Sequence, residues 1–124
     1  MTSLIYFGTS SFAVPALQTL QQHPEQFRIL AVVTQAQKPV GREQTLKDSP
    51  VAETAKKLGL PLLQPEKIRT EEFLEKIRAL SPDMLIVAAY GKILPASLLT
   101  IPQLGAVNLH PSLLPKYRGA TPIQ

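Results

Sequence analysis

The chain of 124 residues contains no cysteine and no tryptophan. Without cysteine it has neither a disulfide framework nor a thiolate metal site. No apolar run approaches the length of a helix that crosses a bilayer, and no basic region precedes the short apolar stretch at the N-terminus. These absences exclude a disulfide-rich secreted domain, and they predict a cytoplasmic protein with no membrane partner.

The composition is that of a folded domain. Hydrophobic residues make up 44% of the chain and charged residues 18%, which favours a globular fold over disorder. The length allows one domain with a substantial core but not two domains of ordinary size. The formal net charge of +4 is compatible with an anionic partner, such as RNA or a phosphorylated cofactor, but does not require one.

Short apolar runs alternate with helical patterns along the chain. The runs predict strands over residues 4–7, 27–34, 61–63, 84–89 and 105–109. Helices are predicted to begin at Ser10 or Ser11, at Ser49-Pro50 and at Thr70. Such an alternation predicts an α/β fold of the doubly wound kind with a mostly parallel sheet. Residues 35–48 are predicted to form a long polar connection.

The first turn from strand to helix, Gly8 to Phe12, has one glycine. The dinucleotide-binding fingerprint at such a turn needs three, so a nicotinamide or flavin dinucleotide is not expected here. Free amides at the start of the helix could hold a phosphate. Alternatively, this segment is a tight turn with no ligand, and its serine has only the structural role of capping the helix.

The segment from Asn108 to Pro115 carries the most informative pattern. Asn108 and His110 lie two residues apart at the end of a predicted strand, so their side chains point to one face, about 6.5–7 Å apart. The carboxyl edge of a parallel sheet is where α/β ligand sites occur. The pair could instead be the solvated end of a strand. The rigid, proline-rich loop that follows favours an active site, because catalysis needs fixed positions.

A second candidate segment follows the predicted strand 84–89. Gly91 allows a sharp exit from the strand, and Ile93, Leu94 and Pro95 form an apolar wall beside exposed backbone groups. Such a wall suits a flat heteroaromatic ligand whose edges bind to backbone groups. The alternative is ordinary packing at a junction between a strand and a helix.

Several short motifs occur in a specific order along the chain. They are Gly8-Thr9 with Phe12-Ala13, Thr34-Gln35 with Lys38-Pro39 and Gly41-Arg42, Ala89-Tyr90-Gly91 with Leu94-Pro95, and Asn108-Leu109-His110-Pro111-Ser112-Leu113-Leu114-Pro115 with Tyr117-Arg118-Gly119. Over essentially the whole chain, this set resembles the folate-dependent formyltransferases. The 35–48 connection and the segment from Tyr117 to Gln124 favour the methionyl-tRNA formyltransferases within that family.

The resemblance implies a set of functional residues. Asn108 and His110 would be catalytic, with the family's catalytic Asp located beyond Gln124. The formyl donor, 10-formyltetrahydrofolate, would lie against Gly91, Lys92, Ile93 and Leu94, and against Ser112, Leu113, Leu114 and Pro115. Initiator methionyl-tRNA would be contacted by Lys38 and Arg42. The resemblance implies no metal, and a full-length enzyme that is monomeric.

The resemblance also implies that residues 1–124 are the N-terminal portion of a Rossmann-like catalytic domain. The rest of that domain and a C-terminal β-barrel domain would be absent, so the chain alone is expected to be inactive. Thr121-Pro122 supports this expectation, because it has the pattern of a helix start with only two residues after it. The alternatives are a sugar-nucleotide or glycinamide ribonucleotide formyltransferase, and a non-catalytic module that binds folate or a nucleotide.

Overall fold

A computed structural model describes residues 1–109 and, as backbone, residues 120–122. The strands are β1 (Thr2–Gly8), β2 (Phe27–Val33), β3 (Lys38–Val40), β4 (Thr45–Lys47), β5 (Leu62–Leu63), β6 (Met84–Ala88), β7 (Ala106–Leu109) and β8 (Ala120–Pro122). The α-helices are α1 (Val14–Gln21), α2 (Pro50–Leu58), α3 (Glu71–Leu80) and α4 (Ala96–Leu99), and a short 3-10 helix covers Ser11–Ala13. No helix in this described part is long and apolar enough to cross a bilayer.

Six strands form the main sheet, in the order β5-β2-β1-β6-β7-β8. The five strands from β5 to β7 are parallel, and β8 pairs with β7 in the antiparallel direction. In the centre of the sheet, Tyr6 of β1 lies between Val32 and Ile86. The predicted α/β class with a mostly parallel sheet is therefore confirmed.

Alternating side chains of the strands fill two separate cores, one on each face of the sheet. On the face covered by α3, the side chains of β1 and β6 pack with those of the helix; we call this the α3-side core, and it includes Ile5, Phe7, Phe73, Ile77, Leu85 and Val87. On the opposite face, the α1-side core includes Leu4, Tyr6, Leu17, Val32, Val51 and Ala55. Each large apolar side chain buried in these cores stabilises the fold by about 1.5–3 kcal/mol.

The helix starts predicted at Ser49 and Thr70 are confirmed. The Ser49 hydroxyl accepts a hydrogen bond from the backbone N–H of Ala52 at 3.0 Å, and the Thr70 hydroxyl accepts one from Phe73 at 3.1 Å. The capping role expected of Ser10 is wrong. Ser10 precedes the 3-10 helix without a capping bond from its side chain, and α1 begins only at Val14.

Three elements differ from the prediction. The 35–48 connection contains a hairpin, β3–β4, whose strands are too short to carry a clear alternation. The helix α4 has only four residues, too few to show a helical period. Thr121-Pro122 lies in strand β8 and does not start a helix. Proline lacks an N–H but is tolerated on an edge strand, so the same residue pair fits both structures.

We expect loss of the Ser49 cap to destabilise the fold. In the variant Ser49→Ala, the N-terminus of α2 loses its acceptor and the buried Thr34 hydroxyl loses its partner, so the free energy of unfolding should fall by about 2–4 kcal/mol. Urea denaturation measures this change. Thr54→Ala in the same helix is the control, because the Thr54 hydroxyl is exposed and bonds only to the carbonyl of Pro50 in the described residues. An equal loss in both variants would contradict the capping role.

Asp83 gives the fold an acid-sensitive contact between β1 and β6. Its carboxylate accepts the backbone N–H of Ser3 at 2.8 Å, and this bond holds the pKa of Asp83 below its ordinary value. A lowered folded pKa stabilises the fold above the unfolded pKa of about 4, and this contribution is lost as the pH falls through the folded value. Asp83→Asn should therefore flatten the acid limb of a plot of stability against pH, whereas Glu25→Gln should not. Identical acid limbs for Asp83→Asn and the unsubstituted protein would contradict the stabilising role of the Asp83 carboxylate.

Candidate functional site

The carboxyl ends of the central strands bring polar residues together at one edge of the sheet. Thr9 follows β1, Thr34 and Gln35 follow β2, and Tyr90 comes two residues after β6. In parallel sheets this edge is where ligands bind, because the backbone chains diverge there. Most of these residues are joined by hydrogen bonds.

A chain of hydroxyl groups crosses this edge. The Thr9 hydroxyl donates to the carbonyl oxygen of Tyr90 at 2.7 Å, and it lies 3.5 Å from the hydroxyl of Thr34. Thr34 is fully buried, and its hydroxyl lies 2.6 Å from that of Ser49. We call Thr9, Thr34, Gln35, Ser49 and the Tyr90 carbonyl the edge network. It ties β1, β2 and the start of α2 to the segment after β6.

Two amides of the first turn are already bonded. The backbone N–H groups of Thr9 and Ser10 point to the carbonyl oxygen of Ala89, at 3.1 and 3.4 Å. These two amides therefore do not bind an anion as the free amides of a helix N-terminus do. Both interpretations of this turn, a phosphate site and a plain tight turn, stay predictions.

The exit from β6 has an unusual backbone. Ala89 has a φ of +48° and Gly91 a φ of +97°, so the chain turns sharply on both sides of Tyr90. A Cβ atom on Gly91 would lie 2.1 Å from the side-chain nitrogen of Gln35. The φ of Gly91 therefore favours glycine, and any side chain at position 91 would have to displace the Gln35 amide.

A cavity of about 630 Å³ opens beside this exit. Its walls are residues 66–70, which lead into α3, and the segment Gly91 to Ile93; we call it the α3 cavity. The Lys92 ammonium donates to the carbonyl oxygen of Glu66 at 2.7 Å and so joins the two walls. Lys67 and Arg69 are exposed and add positive charge, so the α3 cavity suits a ligand with anionic groups.

Three of the four predicted donor-binding residues before the proline-rich loop line this cavity. They are Gly91, Lys92 and Ile93, and the Ile93 side chain is 83% exposed, as an apolar contact for a ligand would be. Leu94 differs, because it is buried in the α3-side core and supports the wall from behind. The residues Glu66 to Thr70 were missed by the sequence analysis, since a polar loop of this kind has no distinctive spacing.

Asn108 lies near the carboxyl end of β7, opposite Val87 of β6. It is half-buried and, by the alternation of the strand, shares the face of Ala106, which belongs to the α3-side core. The α3 cavity opens on the same side of the sheet, because Ile68 is part of both. The predicted partners His110, Ser112, Leu113, Leu114 and Pro115 lie outside the described residues, so the shared face of Asn108 and His110 stays a prediction.

Tyr90 is buried below this edge. Its ring contacts that of Phe7 edge to face, with 5.4 Å between the centroids. Among the described residues its hydroxyl has no hydrogen-bond partner, and burial raises the pKa of Tyr90 to about 12. The phenol therefore stays protonated at neutral pH and contributes its ring to the core.

The hairpin β3–β4 carries the two predicted tRNA-binding residues. Lys38 lies opposite Lys47 in the register of the two strands, and Arg42 lies in the turn between them. All three are exposed, and a cavity of about 250 Å³ separates the two lysines from Thr9. Like charges directly opposite each other repel, so this arrangement favours an anionic partner.

Asp48 attaches the hairpin to the body of the protein. Its carboxylate accepts hydrogen bonds from the Gln37 amide at 2.9 Å and the Lys56 ammonium at 2.5 Å, and a longer one from Gln64 at 3.3 Å. The Lys56 and Gln37 bonds lower the pKa of Asp48, so it remains a carboxylate. Nothing in its local sequence pattern distinguishes this anchor.

The described residues contain no cluster of three or more possible metal ligands.

Comparisons with known proteins identify the family of this chain. The family described as formyl transferase matches residues 2–124. A methionyl-tRNA formyltransferase of Lysinibacillus sphaericus is 53% identical over 99% of this chain, and one of Thermodesulfovibrio yellowstonii is 51% identical over 99%. The chain spans 39% of the length of each of these relatives.

Solved structures share the fold. A phosphoribosylglycinamide formyltransferase of Streptococcus pneumoniae superposes with a TM-score of 0.62 at 25% identity, covering 96% of this chain and 62% of that one. One from Bacillus halodurans has a TM-score of 0.66 at 18% identity, covering 91% of this chain and 58% of that one. Because the family match extends over residues 2–124, with the edge of the sheet built as described, this chain belongs to the formyl transferase family.

Proposed function

We propose that this chain is the N-terminal part of a methionyl-tRNA formyltransferase, which transfers a formyl group from 10-formyltetrahydrofolate to the amino group of initiator methionyl-tRNA. The observation that carries the proposal is the identity of about half of all residues, along the whole chain, with relatives that bear this name. The position of Asn108 at the carboxyl edge, on the side of the α3 cavity, supports it further.

The reaction needs a group that stabilises negative charge on an oxygen. The amino group of the methionyl ester attacks the formyl carbon, and charge develops on the formyl oxygen as the new C–N bond forms. The Asn108 amide donates a hydrogen bond to this oxygen in our proposal. The intermediate then collapses, the bond from the formyl carbon to the folate nitrogen breaks, and the proton given up by the attacking amine passes to that folate nitrogen. His110 is proposed to stabilise the same oxygen or to move this proton.

The α3 cavity is the proposed site of the reduced folate. Its volume lies within the range of small-molecule sites, and its walls combine an exposed apolar side chain, Ile93, with backbone groups around Gly91. The cations Lys67, Arg69 and Lys92 would face the carboxylates of the folate. Ser112 to Pro115 are proposed to complete this site.

The hairpin is the proposed contact with tRNA, through Lys38 and Arg42. The main alternative is a phosphoribosylglycinamide formyltransferase, which the solved structures favour by fold. A small phosphorylated amine needs no large basic surface, whereas the exposed hairpin carries Lys38, Arg42 and Lys47. The basic hairpin therefore favours the tRNA substrate. The enzyme would act in translation initiation in the cytoplasm, as a monomer.

Formyl transfer itself is the first test. Residues 1–124 would be fused to the part of the Lysinibacillus sphaericus relative that follows the matched region, and the fusion would be assayed with initiator methionyl-tRNA and 10-formyltetrahydrofolate. We expect formylmethionyl-tRNA as product. If the fusion formylates only glycinamide ribonucleotide, the tRNA assignment is wrong. If the folded fusion formylates neither, a non-catalytic module is favoured.

Asn108→Ala should lower kcat by about 100- to 1,000-fold in this fusion, because loss of one donor to a developing oxyanion costs about 3–4 kcal/mol. The KM for each substrate should change little, since the lost bond forms mainly in the transition state. Gln103→Ala is the control, because Gln103 is an exposed amide in the turn before β7, at the opposite edge of the sheet. An unchanged kcat in Asn108→Ala would refute the oxyanion role.

The double variant Lys38→Ala/Arg42→Ala should weaken tRNA binding and flatten its salt dependence. Each lost phosphate contact should reduce the slope of log K against log salt by roughly 1. Binding measured by fluorescence anisotropy from low to high salt gives this slope. The matched control is Lys57→Ala/Arg28→Ala, which removes the same charges from exposed positions outside the hairpin. Equal slopes in the two double variants would favour a small substrate.

A further inference from the structure

Gln35 is the residue that links the end of β2 to the wall of the α3 cavity. We infer that Gln35 is a positioning residue, which fixes the orientation of the Tyr90–Gly91 peptide and thereby of the backbone that faces the bound folate. The ligand named here rests on the proposed function. The positioning role itself rests on hydrogen bonds among described residues.

The Tyr90 carbonyl oxygen has two donors from two other strands. The Gln35 side-chain amide donates to it at 2.8 Å, and the Thr9 hydroxyl donates at 2.7 Å. A carbonyl oxygen has two lone pairs, so both are used. Two bonds from different directions hold the plane of the peptide, whereas one bond would allow it to tilt.

The planarity of the peptide bond transfers this constraint to Gly91. The N–H of Gly91 belongs to the same rigid plane as the Tyr90 carbonyl and, in a trans peptide, points the opposite way. It is therefore directed away from the edge network. Gly91 lines the α3 cavity, so its backbone is among the groups that a ligand there would meet.

Gly91 needs such a restraint because its own sequence supplies none. With a φ of +97° and no Cβ atom, it has more conformational freedom than any other residue type would have there. Ala89, one residue before Tyr90, is also in the left-handed region, which is unfavourable for alanine. Contacts from outside the segment must hold this geometry, and the Gln35 side chain lies directly against Gly91.

A purely space-filling role for Gln35 makes a different prediction. The amide of Gln35 can be replaced by a carboxyl of the same shape, Gln35→Glu, or by an apolar chain of similar length, Gln35→Met. Neither a carboxylate nor a thioether can donate to the Tyr90 carbonyl, but a protonated carboxyl can. A positioning role by hydrogen bonding therefore predicts that the glutamate variant recovers as the pH falls, and that the uncharged methionine variant is weakened at every pH.

Ligand binding by the whole chain is the first measurement, with 5-formyltetrahydrofolate as the probe and calorimetry from pH 7.5 down to pH 4, where an ordinary glutamate carboxyl is largely protonated. At pH 7.5, Gln35→Glu should bind roughly 10-fold more weakly than the wild type, because one hydrogen bond is replaced by repulsion between two oxygens. The ratio of the two affinities should approach one as the carboxyl becomes protonated. Gln35→Met should bind about 3- to 10-fold more weakly at every pH.

The matched control for charge is Gln103→Glu. It introduces the same carboxyl at an exposed amide on the opposite edge of the sheet, and it should bind the probe as the wild type does at each pH. Equal affinities of the wild type, Gln35→Glu and Gln35→Met would overturn the inference. A loss in Gln35→Glu that persists unchanged at low pH would overturn it as well.

A second measurement needs no ligand. In the NMR spectrum of Gln35→Glu, the Gly91 amide resonance should titrate with the introduced carboxyl, whereas it should not follow the carboxyl introduced by Gln103→Glu. A Gly91 resonance that is unmoved in Gln35→Glu overturns the positioning role.

Should that variant not fold, a shifted Gly91 resonance in Gln35→Met supports the role, and an unshifted one overturns it. If the wild type does not bind the probe, the proposed folate site fails, while the Gly91 resonance still decides the role of Gln35.

Discussion

Burial of the parallel sheet on both faces is the constraint on which the rest of this structure depends. The α1-side and α3-side cores take the apolar side chains of every central strand, so polar groups can collect only where the strands end. At the carboxyl edge the chain leaves the sheet, and backbone groups there need new partners. Asn108 and the segment around Gly91 lie at this edge, where the two filled apolar faces of the sheet end.

The edge network supplies hydrogen-bond partners to the backbone groups that leave the sheet. The Tyr90 carbonyl lies just beyond β6, and donors from the ends of β1 and β2 bond to it. The buried hydroxyl of Thr34 is satisfied by Ser49, whose oxygen also caps α2. One set of bonds thus stabilises the fold and shapes the α3 cavity. We expect substitutions in the edge network to change both the stability of the fold and the proposed ligand binding. Replacements that keep the shape of a side chain but remove its hydrogen-bond donor are therefore the informative ones.

The two proposed substrate contacts differ in rigidity. Gly91 and Lys92 bound the α3 cavity. The Lys92 ammonium bonds to Glu66 on the opposite wall, and Gly91 lies against Gln35 of the edge network. All residues of the hairpin are exposed, and the hydrogen bonds of Asp48 to Gln37 and Lys56 lie at its base. A rigid pocket suits a small folate, whereas an exposed basic hairpin suits a large anionic surface.

The sequence was sufficient wherever the signal was local. Continuous apolar runs identified the strands of the parallel sheet, and Ser49-Pro50 and Thr70 identified two helix starts, because capping involves residues only three apart. Gly91 was predicted as a sharp exit for a similar reason, since its φ is a property of one residue. The motif order also led to the formyl transferase family, which the match over residues 2–124 bears out.

Contacts between distant residues could not be found in this way. The amides of Thr9 and Ser10 bond to the carbonyl oxygen of Ala89, which follows another strand. Leu94 is buried in the α3-side core, and Asp48 becomes an anchor only when Lys56 and Gln64 fold beside it. The sequence by itself determined the strands of the parallel sheet, two helix starts and the family. Tertiary structure decided which polar groups meet, because such bonds join positions up to 81 residues apart.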